Sequence, residues 1–279
     1  MITTRDRAEE LKRTCRVLRE LDPAPLEILI TLDGCTDNSV EVVKREIPGA
    51  RLFINKVGQG SVASRDRMMR EARGELVLAL DDDSYPEQPD GLDRIAMLFV
   101  ERPALAIAHF PQRTDEYPET LTRKEFGPAR LTRSFANSGA VLRRSTYLEL
   151  PGFEPMFFHM YEEPDYALQC VAAGYEVLYT PVISIRHHYT RKARSELRNH
   201  HRHSRNELWS TLLRCPFPYA FGIMAYHAFS QFRFACTRGL SWVIREPVWW
   251  WQALMGIPHC LNKRAPIPWK EYEAWLRLS

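Results

Sequence analysis

Residues 75–86 read Glu75-Leu-Val-Leu-Ala-Leu-Asp-Asp-Asp-Ser-Tyr-Pro86. An apolar run this short, closed by Asp and then Pro, predicts a buried strand, Glu75–Leu80, that feeds a loop. Three like charges, Asp81, Asp82 and Asp83, then stand at the end of a core strand. They repel one another and lose hydration unless a cation sits among them. A divalent metal meets that need, because hard cations take carboxylate oxygens. Taken alone, the triplet reads equally well as a solvated acidic turn.

The pattern on either side predicts more strands and helices in alternation. Residues 6–21 place Ala8, Leu11, Cys15, Leu18 and Leu21 at helical spacing. Glu27–Leu32 reads as a strand, Asp37 or Asn38 as the cap of a helix to Glu46, and Arg51–Ile54 as a strand. A helix over Val62–Ala72 ends at Gly74. Asp90–Val100 reads as helix and Ala104–Phe110 as strand. Such alternation predicts an α/β fold whose mostly parallel sheet is covered by helices. Ligands of these sheets bind beyond the carboxyl ends of the strands, where Asp33 and the acidic triplet fall. The strand expected to open the sheet is short or missing, since only Met1-Ile2 precede the polar Thr4-Arg-Asp-Arg7.

Residues 111–134 are polar and read as a surface excursion. Asn137–Leu142 is a loop entering a strand, Tyr161–Ala173 a helix, and Glu176–Pro181 a strand. Beyond about residue 194 the pattern turns helical and aromatic, over Leu197–Leu213, Tyr219–Gly239 and Val248–Met255. We therefore expect an α/β domain over 1–190, which the resemblance given below makes the catalytic one, and a helical, Trp-rich extension over 191–279.

The chain of 279 residues is long enough to bury a full core. Its six cysteines show no CxxC pairing, which favours reduced thiols and a cytoplasmic location. Met1 leads directly into polar residues, so no signal peptide is expected. Charge is unevenly spread. Residues 186–279 hold 15 Lys and Arg against five Asp and Glu, a net +10, while the remainder carries −7. Three adjacent Trp, 249–251, lie in that basic segment. They suit an interfacial element on an anionic inner membrane face, or else a helix bundle packed on the body. No apolar stretch is long enough to span a bilayer. The tract His200-His-Arg-His203 reads as a solvated helix face.

Several stretches, in order, resemble glycosyltransferase family 2, whose members have the GT-A fold and invert the anomeric centre. Thr4-Arg-Asp-Arg7 resembles the loop after its first strand. Leu32-Asp-Gly-Cys-Thr-Asp-Asn-Ser39 resembles its nucleotide loop, with Cys35 where Ser is usual. Gly58-Gln-Gly60 through Ala63-Ser-Arg-Asp66 resembles its Gly…Ala-Arg-Asn segment, and Asp81-Asp-Asp83 its DxD motif. Gly152-Phe-Glu-Pro-Met-Phe-Phe158, Glu162-Glu-Pro-Asp165 and Pro181…His187 resemble its later blocks, and His203-Ser-Arg-Asn206 its Arg-Asn helix. Together these cover most of residues 3–215.

The resemblance implies a nucleotide diphosphate sugar donor and Mn2+ or Mg2+, held by Asp83, Asp81 and His187, with His188 as the fallback ligand. A divalent ion there would neutralise the departing diphosphate. It implies nucleotide-sugar contacts from Thr4, Arg5, Asp33, Arg65, Asp81, Asp82 and Gly139. Asp33 would accept from the base, and Arg65 would pair with phosphate or with Asp33. It implies Glu163 as the base that takes the acceptor hydroxyl proton, where the family carries Asp, with Asp165 and Glu162 in support. The acceptor would be a glycan or a lipid-linked molecule in cell-surface glycan synthesis.

Other classes fare worse. A P-loop phosphoryl transferase needs GxxxxGK[ST], which is absent, and no nucleic-acid reader motif appears. A non-catalytic relative acting as a membrane-associated or scaffold protein is the alternative that Glu163 and the short first strand keep open.

Overall fold

The computed structural model describes residues 1–189 and 195–279, so the boundary expected between residues 190 and 191 lies outside the described residues. The first strand is present. β1 spans only Ile2–Thr4, yet it pairs in parallel with β2 (Leu29–Asp33) on one side and with β4 (Leu76–Asp81) on the other. Between them lie α1 (Ala8–Arg19), α2 (Ser39–Glu46), the outer strand β3 (Arg51–Asn55) and α3 (Ser61–Glu71). β2 and β3 extend the sheet one way from β1 and β4 the other. The strand order therefore reverses at β1, which opens a crevice at the carboxyl ends of these strands.

Beyond β4 the chain forms β5 (Ser84–Pro86), α4 (Gly91–Glu101), β6 (Leu105–His109), β7 (Gln112–Thr114), β8 (Arg130–Leu131), β9 (Ala140–Arg143), α5 (Arg144–Glu149), α6 (Glu162–Ala172), β10 (Glu176–Tyr179) and β11 (Ile185–His187). The main sheet runs β3-β2-β1-β4-β9-β6-β10-β8, with β9 antiparallel between β4 and β6. A small second sheet, β5-β11-β7, lies beside it. The stretch 111–134 thus differs from a plain excursion: β7 is the strand against which β11 pairs in parallel, placing His187 opposite Thr114.

Alternation along the strands divides the core. On β2 and β4, Ile30, Leu32 and Leu80 face α1 and α4, with Leu11, Leu18, Ile95 and Phe99. Leu29, Val77 and Ala79 face Val62, Met68 and Tyr166 on the opposite side. Strands covered on both faces read as continuous apolar runs, which is why their sequence is so distinct.

The C-terminal segment is α7 (Glu196–Arg214), α8 (Tyr219–Arg238), α9 (Leu240–Val243), α10 (Glu246–Asn262) and α11 (Trp269–Leu276). α7 packs on α10, where the Trp209 indole N–H donates to the carbonyl of Ala253 at 2.9 Å. The histidine tract is not solvated: His200 is buried, with its Nε2 at 2.8 Å from the buried carboxylate of Glu246. The three tryptophans divide, Trp249 fully buried and Trp251 65% exposed.

Candidate active site

Asp81 ends β4, and the turn that follows splits the acidic triplet. Asp82 turns toward the end of β1 and the residues that follow it. Its carboxylate accepts from the Thr4 hydroxyl at 2.7 Å and lies 2.7 Å from the Arg7 guanidinium. Burial pushes it up to about 7; Arg7 pulls it down and Asp83 adds to the rise. Asp83 is 1% exposed and takes a 2.5 Å bond from Arg7. Burial raises its carboxyl, but His187 and Arg7 outweigh that and hold it below the usual range. Thr4 and Asp82 therefore brace one another rather than face the crevice. Arg7, which the sequence marks only as the end of the Thr4–Arg7 loop, clamps two of the three acids.

Asp81, Asp83 and His187 converge. One donor atom from each lies within 4.8 Å of the others. The His187 Nε2 is 3.3 Å from Asp83 and 4.0 Å from Asp81. On the far side of the ring, Nδ1 meets the Gln112 side-chain oxygen at 3.0 Å, and the Gln112 amide nitrogen donates to Ser138 at 2.6 Å. That chain puts the ring proton on Nδ1 and turns Nε2 toward the two acids. Two carboxylates and an imidazole held this way fit a divalent cation such as Mn2+. His188 is turned elsewhere, bonded to the Tyr85 hydroxyl at 2.7 Å.

Arg65, projected from α3, is buried and lies 2.5 Å from Asp81 and 3.5 Å from Glu162. It does not pair with Asp33, one of the two partners expected for it. Asp33 is instead spent on its own loop: it accepts from Asn55 at 2.8 Å, from the Gln59 backbone at 2.8 Å and from the Gly60 backbone at 2.9 Å. The exposed Arg5 reaches over this loop, close to Gly58. Gly60 has φ +91°, and a Cβ there would fall 2.2 Å from the Phe158 carbonyl oxygen. Gly139 is also forced small, but by Ile185, which its Cβ would meet at 2.6 Å. Packing against β11 accounts for that glycine, and ligand contact is not needed to explain it.

The acidic start of α6 divides by partner. Asp165 is 1% exposed and faces α7: it accepts from Ser210 at 2.7 Å, Gln169 at 2.8 Å and Arg214 at 3.1 and 3.2 Å. The bonds to Ser210 and Arg214 fasten α6 to α7. Glu162 is buried beside Arg65 and takes a 3.3 Å bond from Asn137. Glu163 is half-buried and, among the described residues, receives no ion pair or hydrogen bond from another side chain. Burial, then the neighbouring Glu162, pushes it up to about 8 against the pull of Arg65.

The loop before α6 is strained. Phe158, Met160 and Tyr161 all have positive φ, between 66° and 76°. Asn206 on α7 holds it, its side-chain amide lying 3.0, 3.0 and 2.7 Å from the carbonyls of Phe157, His159 and Met160. The Arg-Asn pattern marks this helix in the sequence without showing what it does. His159, from the same loop, meets the Ser61 hydroxyl at 2.9 Å. A separate apolar cavity of about 330 Å3 lies by Met1, Leu29 and Leu76, at the opposite ends of the strands, away from the acidic group.

The family model described as Glycosyl transferase family 2 matches residues 1–172. No curated protein matches the chain. Among solved structures, GalNAc-T7 with UDP, GalNAc and Mn2+ is similar at 12% identity and TM-score 0.62, over 77% of this chain and 47% of that one. This chain thus spans about half the length of that protein. The mannosyltransferase PcManGT from Pyrobaculum calidifontis, in complex with GDP-Man and Mn2+, is similar at 17% identity and TM-score 0.61, over 99% and 83%. S. aureus TarS 1-349 in complex with UDP-GlcNAc is similar at 13% identity and TM-score 0.62, over 97% and 81%. At these identities the likeness shows a shared GT-A fold.

Proposed function

Because the chain belongs to glycosyl transferase family 2, we propose that it moves a sugar from a nucleotide diphosphate donor to an acceptor hydroxyl, with inversion and with a divalent metal. The observation that carries this reading is the convergence of Asp81, Asp83 and His187 at the crevice where the strand order reverses. Mn2+ in two similar structures supports the choice of metal.

In this reading Asp83, Asp81 and His187 hold the cation, whose Lewis acidity would offset charge on the leaving diphosphate. Arg65 neutralises Asp81 and Glu162 and so keeps both in place. The loop ordered by Asp33, with Arg5 above it, receives the nucleotide. Glu163 takes the acceptor proton. A raised carboxyl with no hydrogen-bond or ion-pair partner among the described side chains suits a base near neutral pH. Residues 1–190 form the catalytic unit and 191–279 a supporting extension, with Asp165 and Asn206 as its ties. Asp82 and Gly139 stay with the scaffold.

The extension also bears on location. Among the described residues no helix is long and apolar enough to cross a membrane. Yet Phe221, Tyr226 and Phe229 on α8 and Trp251, Leu254 and Met255 on α10 are all at least 58% exposed. We read this face as an interfacial contact with anionic lipid, consistent with a cell-surface acceptor.

Thermal melting of the chain with UDP and GDP sugars, with and without Mn2+, tests the central reading. Stabilisation by one donor that requires the metal is expected. No response to any donor would favour the non-catalytic alternative.

A further inference from the structure

A second cavity, of about 580 Å3, adjoins the loop that leads to Glu163. One wall is a face of α7 carrying Arg198, Arg202 and Arg205 at successive helical turns; the others bring Gln252 and Val248 from α10, and Phe158. Among the described residues its lining contains no carboxylate. Two acids near its lining are taken: Glu196 pairs with Arg238, and Glu246, 4.0 Å from His201, is bonded more closely to His200.

The three arginines are not alike. Arg205 is structural: it donates to the Phe157 carbonyl at 3.2 Å and lies 4.4 Å over the Trp209 ring. Arg198 and Arg202 form no ion pair among the described residues, and Arg202 rests 4.9 Å over the ring of Phe158. Burial, then Arg198 and Arg5, pulls Arg202 below the ordinary guanidinium range. Burial and Arg202 bring Arg205 down to about 10. Arg198 is exposed and Arg202 and Arg205 are half-buried; cations this close repel one another, and an oxyanion would relieve them. Guanidinium forks and an amide suit the several oxygens of a phosphate better than a neutral sugar.

The cavity lies between the nucleotide loop, where Gly60 abuts Phe158, and the loop that leads to Glu163. The donor diphosphate belongs with Asp81, Asp83 and His187. The cavity wall at Phe158 belongs to the loop that runs into Glu163, on which an acceptor hydroxyl must converge. The outer rim at Val248 continues into the exposed apolar residues of α10.

We propose that this cavity is the anion subsite for the acceptor, receiving a phosphate group while the acceptor hydroxyl points to Glu163. The acceptor role rests on the transferase reading above; the phosphate site rests on the cavity itself. A lipid phosphate and a soluble phosphate ester share the chemistry.

Calorimetric titration of the full chain with farnesyl phosphate and with glycerol 3-phosphate tests it. The wild type, the double variant Arg198→Gln/Arg202→Gln and the variant Gln252→Glu are compared, each checked for wild-type melting. The added carboxylate of Gln252→Glu acts without removing an arginine, so it covers the case where the double variant misfolds. We expect binding of at least one ester, weakened roughly tenfold or more in both variants, with binding of a UDP or GDP sugar plus Mn2+ unchanged. Tighter farnesyl phosphate identifies a lipid phosphate, and equal affinity a soluble one. The proposal is overturned if neither ester binds, if the variants bind them as the wild type does, or if donor binding falls by the same factor. Failure of the transferase reading shows separately, as a wild type that binds no nucleotide sugar.

Discussion

The guanidinium of Arg65 lies 2.5 Å from Asp81 and 3.5 Å from Glu162, so one buried cation joins a proposed metal ligand to the helix that carries the proposed base. Removing the cation leaves the buried Glu162 charged and dry, at a cost of about 3–5 kcal/mol. Arg65→Met is expected to lower unfolding stability by about that much and to abolish transfer, while Arg65→Lys keeps part of both. Urea unfolding together with a transfer assay reads the two effects. A methionine variant as stable as the wild type would show the bridge to be idle.

The metal group makes its own demand. Asp83→Asn and His187→Ala should each remove the stabilisation that Mn2+ confers on melting, and EDTA should abolish it in the wild type. Gln112→Ala leaves all three proposed ligands but frees the imidazole to rotate; a loss of about 10- to 100-fold in Mn2+ affinity is expected. Mn2+ affinity unchanged in Gln112→Ala would mean that the ring is held by other contacts.

Glu163 supplies a pH signature. Its carboxyl rises from the ordinary 4.5 to about 8 in the fold. The folded chain then holds a proton that the unfolded chain releases above 4.5. The stability this group contributes is complete below that value and is lost as pH climbs to about 8. As the proposed base, Glu163 must be ionised, so kcat/KM of the wild type should rise toward pH 8. Glu163→Gln should lose about 100- to 10,000-fold in rate and melt with less dependence on pH. Near-normal turnover in that variant would remove Glu163 as the base.

Asn206 should act on the reaction without touching it. Asn206→Ala strips the amide from three carbonyls of a loop with three strained residues. The cost is about 1–3 kcal/mol per acceptor left unsatisfied, and Glu163 should lose its fixed position. The expected signature is a fall in kcat at unchanged donor KM, with increased proteolysis near residues 157–161. A variant that unfolds at the same urea concentration and turns over normally would show that the loop holds itself.

Membrane contact has a direct readout. The wild type should sediment with vesicles of anionic phospholipid, and Trp251→Ser with Met255→Ser should release it. These side chains are 65% and 64% exposed, so the change should spare the fold. Equal sedimentation of wild type and variant would turn the aromatic face into something other than a lipid contact.

Local structure followed from the order of the amino acids. Apolar runs such as Leu76–Leu80 become strands because a parallel sheet buries both faces, and the residue after such a run lands where ligands bind. Hence Asp33, Asp81 and Asp83 were legible as strand-end acids, and Glu163 as a helix-start acid. How equivalent-looking groups divide was settled only by folding in three dimensions. Asp82 joins Thr4 and Arg7 while its neighbours stay with His187. Asp165 is taken by Arg214, whereas Glu163 has no such claimant among the described residues. Asp33 is consumed by the Gly58–Gly60 loop. Arg7, Gln112 and Asn206 act across 46 or more residues of chain. Spacing along a sequence records the period of a helix or strand, and it holds no trace of which distant side chain arrives to claim a given carboxylate.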